Sequence, residues 1–271
     1  MTTSTLFCLI SCARERSRLE IMKDVIDSLP EVRSDFCVFD NGSTQPGTRE
    51  LLMGSGFGKF FFARRNFGYW SAINWILKQE ELLEKYQNIY IIESDAIHYD
   101  FQRVSEAEKF LETTADIGSV RLQEFSVTEQ HLYDKNNPRP DSRRWAWTRF
   151  SNHFTRSPGY LKHESGTIWR TNLAPQVCAL NRLSFMKRVF KSLENKSNIA
   201  EVDFQREYFD LYKETALLDG GIFNTKTSYL ADTMTGSYTD PAKQQVVGYR
   251  NTRYDTIENV DEVEILTLNT T

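Results

Sequence analysis

The sequence predicts an α/β fold in which one mixed, mostly parallel sheet is flanked by helices. Two observations support this prediction: four short, almost wholly apolar runs occur in the first hundred residues, and segments with helical spacing of apolar residues separate them. Runs without alternation are typical of strands that are covered on both faces, and a helix between successive strands favours parallel pairing. The 271 residues suffice for a single large domain.

The strands and helices follow one another in a regular order. The apolar run TLFCLIS is the first predicted strand, and RERSRLEIMKDVIDSLP is the helix after it, which Pro30 ends. A second strand ends in VFD before the turn residues NGSTQPG, and a third is GKFFFA. The segment GYWSAINWILKQEELLEKY predicts one long helix with Ser71 as its cap, and NIYIIE is the fourth strand. In parallel sheets, ligands bind beyond the carboxyl ends of the strands.

Composition indicates the cellular setting. The formal charge of −4 indicates neither a nucleic-acid nor a membrane partner, and no apolar run approaches the ~18 residues of a membrane span. The N-terminus lacks the basic start and apolar stretch of a signal peptide. The four cysteines show neither Cys-x-x-Cys spacing nor the density of a disulfide scaffold, so we expect free thiols in a reducing, cytoplasmic environment.

Two carboxylates stand where the fourth strand ends. Glu93 and Asp95 are two residues apart, so in an extended chain both side chains project to the same side. A hard divalent cation such as Mn²⁺ or Mg²⁺ prefers oxygen ligands and would relieve the repulsion between the two acids. The pattern therefore predicts a cation site, although strand ends are also where polar residues ordinarily begin.

Polar segments also follow the second and third strands. Asp40 precedes Asn41 and a glycine, and an acid in this place suits the hydroxyls of a ribose or the N–H of a base. After the third strand, Arg65, Asn66 and Gly68 precede a helix, which favours an anion held by side-chain and backbone donors. A charged turn that only caps the helix is the alternative interpretation.

The first hundred residues resemble the nucleotide-sugar half of family 2 glycosyltransferases, which have the Rossmann-like GT-A fold. The resemblance lies in DNGST, in Asn66, Gly68, Ala72 and Asn74, and in Glu93-Ser94-Asp95, which matches the family's Asp-x-Asp metal motif except at the first acid. It implies a nucleotide-sugar donor, with a UDP-sugar favoured, and Mn²⁺ or Mg²⁺ as cofactor. The donor-binding residues that it implies are Asp40, Asn41, Arg65, Asn66, Gly68, Glu93 and Ser94, and the implied metal ligands are Asp95 and Glu93.

The second half of the chain resembles the family less closely. The segment EVDF lies where family members carry their general base, which implies Glu201 as the first candidate for the general base and Asp203 as the second. The resemblance also implies an inverting transfer to an acceptor hydroxyl. The same acids can also simply begin a helix, where negative charge is favourable. A non-catalytic module that binds a nucleotide or sugar nucleotide is the alternative to an enzyme. An oxidoreductase is disfavoured because no Gly-x-Gly-x-x-Gly follows the first strand.

A basic, aromatic segment covers residues 134–170, and its length and turn residues predict a loop over the acceptor side. Its candidate acceptor-binding residues are Arg143, Arg144, Trp145 and Trp147. Aromatic rings stack on sugar faces, while interleaved Arg and aromatic residues also suit a nucleic-acid backbone or an oligomer contact. The expected acceptor is therefore a glycan or a modified nucleic acid.

The prediction for the domain organisation is a single domain of three parts. Residues 1–100 form the nucleotide-sugar half, and residues 101–220 form the acceptor half. Residues 221–271, which are rich in turn residues, are expected to form an irregular C-terminal extension.

Overall fold

The structure, a computed structural model, describes residues 5–31, 33–94, 96–98, 100–123, 160–172, 175, 179–193, 201–224 and 262–267. The strands in these ranges are β1 Thr5–Ser11, β2 Phe36–Asp40, β3 Lys59–Ala63, β4 Asn88–Glu93, β5 Ala96–His98, β6 Ile117–Gln123, β7 Leu161–Ser165, β8 Ile168–Thr171, β9 Leu180–Arg182, β10 Glu214–Asn224 and β11 Val263–Thr267. The helices are α1 Arg16–Asp27, α2 Thr48–Met53, α3 Tyr69–Leu77, α4 Glu80–Leu83, α5 Gln102–Thr113, α6 Leu183–Leu193 and α7 Glu201–Leu211.

The described strands form one sheet in the order β11-β3-β2-β1-β4-β9-β6-β10-β8-β7, with β5 paired to β10. Strands β3, β2, β1 and β4 are parallel neighbours, and β6 and β10 are parallel to each other. Strand β9 lies antiparallel between β4 and β6, so that β6 and β10 run in the same direction as β1 to β4. The predicted mixed, mostly parallel sheet is confirmed, since more of the described strands run this way than the other.

Helices cover both faces of the sheet. Helices α3, α6 and α7 pack on one face, which we call the α3 face, and α1, α2 and α5 pack on the other, the α1 face. Successive side chains of β1 alternate between them: Cys8 and Ile10 lie in the core of the α3 face, and Leu9 lies in that of the α1 face. Burial on both sides explains why the central strands are apolar at almost every position.

The long helix predicted after the third strand is divided. Helix α3 ends at Leu77, and α4 begins at Glu80, because Gln79 between them has a backbone conformation outside the helical region. The cap is also different from the prediction. Gly68 is the N-cap residue with φ = 95°, and Ser71 is a buried residue within the first turn.

Two segments that were predicted to be irregular contain strands. Within the predicted loop 134–170, β7 and β8 form a hairpin whose second strand pairs with β10. In the extension 221–271, the last part of β10 and all of β11 belong to the sheet, and β11 lies antiparallel to β3. The hairpin is anchored by Arg170, which forms ion pairs with Asp116, Glu164 and Glu214, each between 2.6 and 3.1 Å long.

No helix among these described ranges combines the length and the apolar character that crossing a bilayer requires.

Candidate functional site

The parallel strands bring four predicted segments to one edge of the sheet. Ser11 at the end of β1 is in register with Asp40 at the end of β2, and Ile10 is in register with Glu93 at the end of β4. Asp40 is in turn paired with Phe62 near the end of β3. The segments that follow these strands therefore share what we call the carboxyl edge, where open α/β sheets bind ligands.

Asp40 holds the loop after β2 in shape. Its Oδ1 accepts hydrogen bonds from the hydroxyl of Ser11 at 2.8 Å and from the hydroxyl of Ser43, and its Oδ2 accepts one from the backbone N–H of Ser43 at 3.3 Å. Burial raises the pKa of Asp40, and the hydrogen bonds from Ser43 and Ser11 oppose that rise only in part. Asp40 as a whole is 6% exposed, and its carboxyl group bonds to the loop that it supports.

A second set of hydrogen bonds joins the loops after β2 and β3. The side chain of Asn41 donates to Asn66 Oδ1 at 3.1 Å and accepts from the backbone N–H of Phe67 at 2.9 Å. Asn66 Oδ1 also accepts from the N–H of Gly68 at 2.7 Å, and Asn66 Nδ2 donates to Cys12 Sγ at 3.4 Å. The structure thus brings together three residues of the predicted donor site, Asn41, Asn66 and Gly68, with the segment after β1.

Gly42 makes this close approach possible. Its φ is +70°, and a β-carbon built on it would lie 2.3 Å from the carbonyl carbon of Arg65 and 2.6 Å from the backbone nitrogen of Asn66. Contacts below 3.0 Å essentially never occur for real β-carbons. Only glycine permits the two loops to touch with both backbones in place.

Arg65 lies on the rim of this cluster. Its guanidinium carbon is 4.3 Å from the centre of the Phe67 ring, and its Nε is 3.8 Å from Glu262 Oε1. The side chain is 55% exposed, so it combines positive charge with access from solvent.

The predicted cation site is described in part. Glu93 is the last residue of β4, Ser94 is the turn residue after it, and both are partly buried. Asp95 lies outside the described residues. Among the described ranges, no three or more His, Cys, Asp or Glu side chains converge in a way that could hold a metal ion.

Helix α7 directs its first turn toward the carboxyl edge. The ring of Phe204, in that turn, is fully buried, and its centre lies 5.9 Å from that of Trp70 in the first turn of α3. Farther along α7, the hydroxyl of Tyr208 accepts a hydrogen bond from the N–H of Gly118, near the start of β6, at 3.1 Å. Since β6 starts at the opposite edge, α7 begins beside the loop that contains Gly68.

The two candidate catalytic acids are both on this helix. Glu201 is its first residue, and Asp203 lies two positions later. The side chain of Asp203 is 20% exposed and accepts a hydrogen bond from Arg206 Nη1 at 3.1 Å. The candidate acceptor-binding residues Arg143, Arg144, Trp145 and Trp147 lie outside the described residues.

Three residues of the cluster were not predicted from the sequence: Ser11, Cys12 and Ser43. Ser43 follows Asp40 by three positions, a spacing at which an Asp side chain commonly bonds a nearby backbone N–H, so this signal was available. The contact between Cys12 and Asn66 joins residues 54 positions apart and has no local signal.

A cleft of about 200 Å³ lies at the opposite edge of the sheet, near the starts of β1, β2 and β3. Its lining includes Leu6, Phe36, Lys59 and Tyr86. It contains none of the loops described above. The convergence of polar groups, rather than the depth of a cleft, identifies the carboxyl edge as the candidate site.

No family model matches the sequence, and no curated protein sequence matches it. Solved structures share its architecture. The crystal structure of a mycobacterial protein aligns over 98% of this chain and 83% of its own, with a TM-score of 0.50 and 13% identity. S. aureus TarS aligns over 82% of this chain and 36% of its own, with a TM-score of 0.47 and 13% identity. Glucosyl-3-phosphoglycerate synthase from Mycobacterium tuberculosis aligns over 82% of this chain and 71% of its own, with a TM-score of 0.44 and 14% identity.

At sequence identities of 13–14%, structural similarity shows the fold and nothing about the activity. The chain spans about a third of the length of TarS. The similarity to the mycobacterial protein covers nearly the whole chain. The predicted GT-A-like α/β fold is thereby confirmed.

Proposed function

We propose that this chain is a glycosyltransferase that moves a sugar from a nucleotide-sugar donor to an acceptor hydroxyl. The observation that carries the proposal is the convergence of three hydrogen-bonded loops at the carboxyl edge of a parallel sheet, with Glu93 and the first turn of α7 at the same edge. Crevices at this edge are the places where open α/β sheets bind nucleotides.

The donor-binding residues would have different tasks. Asp40 fixes the backbone of the loop after β2, while Asn41 and Asn66 present that loop and the next one to the nucleoside. Arg65, exposed on the rim, supplies positive charge for the diphosphate. A UDP-sugar is the first donor to test, because TarS has been crystallised with UDP-GlcNAc and the M. tuberculosis synthase with UDP and Mg²⁺.

Glu93 and Asp95 would hold a divalent cation, Mn²⁺ or Mg²⁺. Carboxylate oxygens are the ligands that these cations prefer. Because Mg²⁺ in nucleotide sites is usually held by one or two carboxylates, the other ligands would be diphosphate oxygens and water. When bound, such a cation neutralises the charge that develops on the departing nucleoside diphosphate.

The proton of the acceptor hydroxyl would pass to a carboxylate of α7. Glu201 is the first choice, because Asp203 already accepts a hydrogen bond from Arg206. The acceptor oxygen forms a bond to the anomeric carbon while the bond from that carbon to the phosphate oxygen breaks. Attack from the side opposite the leaving group inverts the anomeric centre, so we propose an inverting enzyme.

Calorimetric titration tests the donor and cation sites. UDP, GDP and their sugars are titrated into the native protein and into Asp95→Ala, with and without Mn²⁺. We expect one nucleotide to bind in a Mn²⁺-dependent way, and Asp95→Ala to remove that dependence while the variant keeps the thermal stability of the native protein. If no nucleotide binds under any condition, the proposed function is wrong.

A second titration separates an enzyme from a binding module. Glu201→Gln should bind the donor as the native protein does and lose turnover by about 10²–10⁴-fold, the usual effect of removing a general base. If the native protein binds donor but shows no turnover with any acceptor or with water, the non-catalytic alternative is favoured.

The acceptor side is tested through the basic segment. Replacing Arg143 and Arg144 by Glu should weaken use of a polyanionic acceptor far more than it weakens donor binding, because opposite charge at these positions repels phosphates. Use of a neutral glycan acceptor should change much less. Equal losses in donor and acceptor use would indicate a structural role for the two arginines.

A further inference from the structure

Strand β11 connects a distant part of the chain to the candidate donor loops. It pairs with β3 over five residue pairs, from Val263–Ala63 to Thr267–Lys59. The residue before the strand, Glu262, lies beside the loop after β3, and its carbonyl oxygen accepts a hydrogen bond from the N–H of Arg64 at 3.0 Å. The loop that provides Asn66 and Gly68 therefore begins at a contact with Glu262.

The side chain of Glu262 contacts the next residue of that loop. Its Oε1 lies 3.8 Å from Arg65 Nε, and the Arg65 guanidinium carbon lies 4.3 Å from the centre of the Phe67 ring. Phe67 is 1% exposed, so packing restricts the movement of its ring. The guanidinium thus contacts both a carboxylate and an aromatic ring, and the Arg65 side chain remains 55% exposed.

We propose that Glu262 is a positioning residue for donor binding, which orients Arg65 toward the diphosphate. This inference rests on the proposed function, because it assigns a role in the same site. An Arg side chain has high rotamer entropy, and a ligand that must order it loses affinity. A contact that orders Arg65 before the donor arrives removes part of that cost.

The contact acts on binding rather than on folding. Glu262 and Arg65 have side chains that are 30% and 55% exposed, and exposed ion pairs contribute little to stability. The ladder between β11 and β3 and the backbone hydrogen bond from Arg64 do not involve the Glu262 carboxylate. Removing the carboxylate therefore leaves the strand and the loop in place and changes only how Arg65 is held.

Glu264, which lies in β11 two positions after Glu262, provides a control. It forms a bidentate pair with Arg49 of α2, with distances of 2.6 and 2.9 Å, and its side chain is 52% exposed, against 30% for Glu262. The carboxylate of Glu264 therefore pairs with a helix and not with the loop after β3. Glu264→Gln thus removes the same charge two positions away while keeping the contact between Glu262 and Arg65.

The experiment measures the Kd for UDP in the presence of Mn²⁺, and the donor KM and kcat, for the native protein, Glu262→Gln, Glu262→Asp and Glu264→Gln. We expect Glu262→Gln to raise Kd and KM about 3–10-fold with kcat within about twofold, corresponding to loss of one weak orienting contact. Glu262→Asp should recover part of the affinity because it keeps the charge. Glu264→Gln should bind UDP as the native protein does, and all melting temperatures should agree within about 3 °C.

Three results would overturn the inference while leaving the proposed function intact. The first is unchanged UDP affinity in Glu262→Gln, and the second is an equal loss in Glu264→Gln, which would indicate a general charge effect. The third is tighter binding in Glu262→Gln, which would mean that Glu262 competes with the diphosphate for Arg65. If the native protein binds no nucleotide, the proposed function fails first and the positioning role fails with it.

Discussion

Replacing Gly42 by alanine is expected to separate the loops after β2 and β3. The new β-carbon would lie 2.3 Å from the carbonyl carbon of Arg65, and ordinary contacts begin at 3.4 Å. Because the opposing atoms belong to the backbone, they cannot turn away, and the loops must move apart by about 1 Å. That movement breaks or lengthens the hydrogen bonds that Asn41 makes to Asn66 and to Phe67.

Two costs contribute to the loss of stability. Alanine in a left-handed backbone conformation costs about 1–2 kcal/mol, and overpacking against an unyielding neighbour adds about 1–3 kcal/mol. Gly56 separates the two terms, because its φ is +76° and no atom lies within 4 Å of a β-carbon built on it. Gly56→Ala should therefore lower the free energy of unfolding only by the backbone cost, about 1–2 kcal/mol. Gly42→Ala should lower it by both costs, roughly 2–5 kcal/mol.

Urea denaturation followed by tryptophan fluorescence measures both free energies of unfolding, and calorimetry measures the Kd for UDP in the same samples. Gly42→Ala should also weaken UDP binding, since the displaced loops carry Asn41 and Asn66, while Gly56→Ala should bind UDP as the native protein does. If Gly42→Ala is no less stable than Gly56→Ala, the two loops are not in contact as described.

Burial lowers the pKa of His98 from 6.5 to about 4, so the unfolded chain takes up a proton at a higher pH than the native protein does. The native protein should therefore lose ~3 kcal/mol of stability as the pH falls from about 6.5 to 4. In urea denaturation the free energy of unfolding should depend less on pH in His98→Phe, and an equal pH dependence in both proteins would contradict the assignment. The hydroxyl of Tyr208 donates to the Glu214 carbonyl at 2.8 Å and accepts from the N–H of Gly118. Tyr208→Phe should therefore lower the free energy of unfolding by about 1–3 kcal/mol without altering the UDP Kd. A decrease below about 0.5 kcal/mol would mean that these hydrogen bonds are absent. Cys12 is partly exposed beside Asn66, whereas Cys8 and Cys37 are buried, so iodoacetamide should label Cys12 first among these three. UDP with Mn²⁺ should slow that labelling, as measured by peptide mass spectrometry. An equal labelling rate with and without nucleotide would exclude Cys12 from the site.

The local pattern of the sequence was sufficient for the parallel half of the sheet. The runs that form β1 to β4 are apolar because both of their faces are buried, and parallel strands end at one edge, so the proximity of Asp40, Asn41, Asn66 and Gly68 followed from their positions at strand ends. What the pattern could not supply was the hydrogen bond from Ser11 to Asp40, because these residues are 29 positions apart.

Other elements were missed because their cause is not local. The break between α3 and α4 falls at Lys78 and Gln79, where neither glycine nor proline marks the end of a helix. The strand β11, VEILT, lacks a strict alternation of apolar and polar residues, and its partner β3 lies about 200 positions earlier in the chain. The hairpin of β7 and β8 pairs with β10, and Arg170 forms ion pairs with residues of three different segments, so its partners are distant in sequence.

The pairing of β11 with β3 also has a consequence for how the protein is made. Val263 and Ala63 lie 200 positions apart, so β3 emerges from the ribosome long before its outer neighbour has been synthesised. During that interval the edge that carries Phe60, Phe61 and Phe62 is open, and an open apolar edge is a site where nascent chains pair with one another. Production of this protein should therefore depend on slow synthesis, low temperature or a chaperone that binds exposed strands.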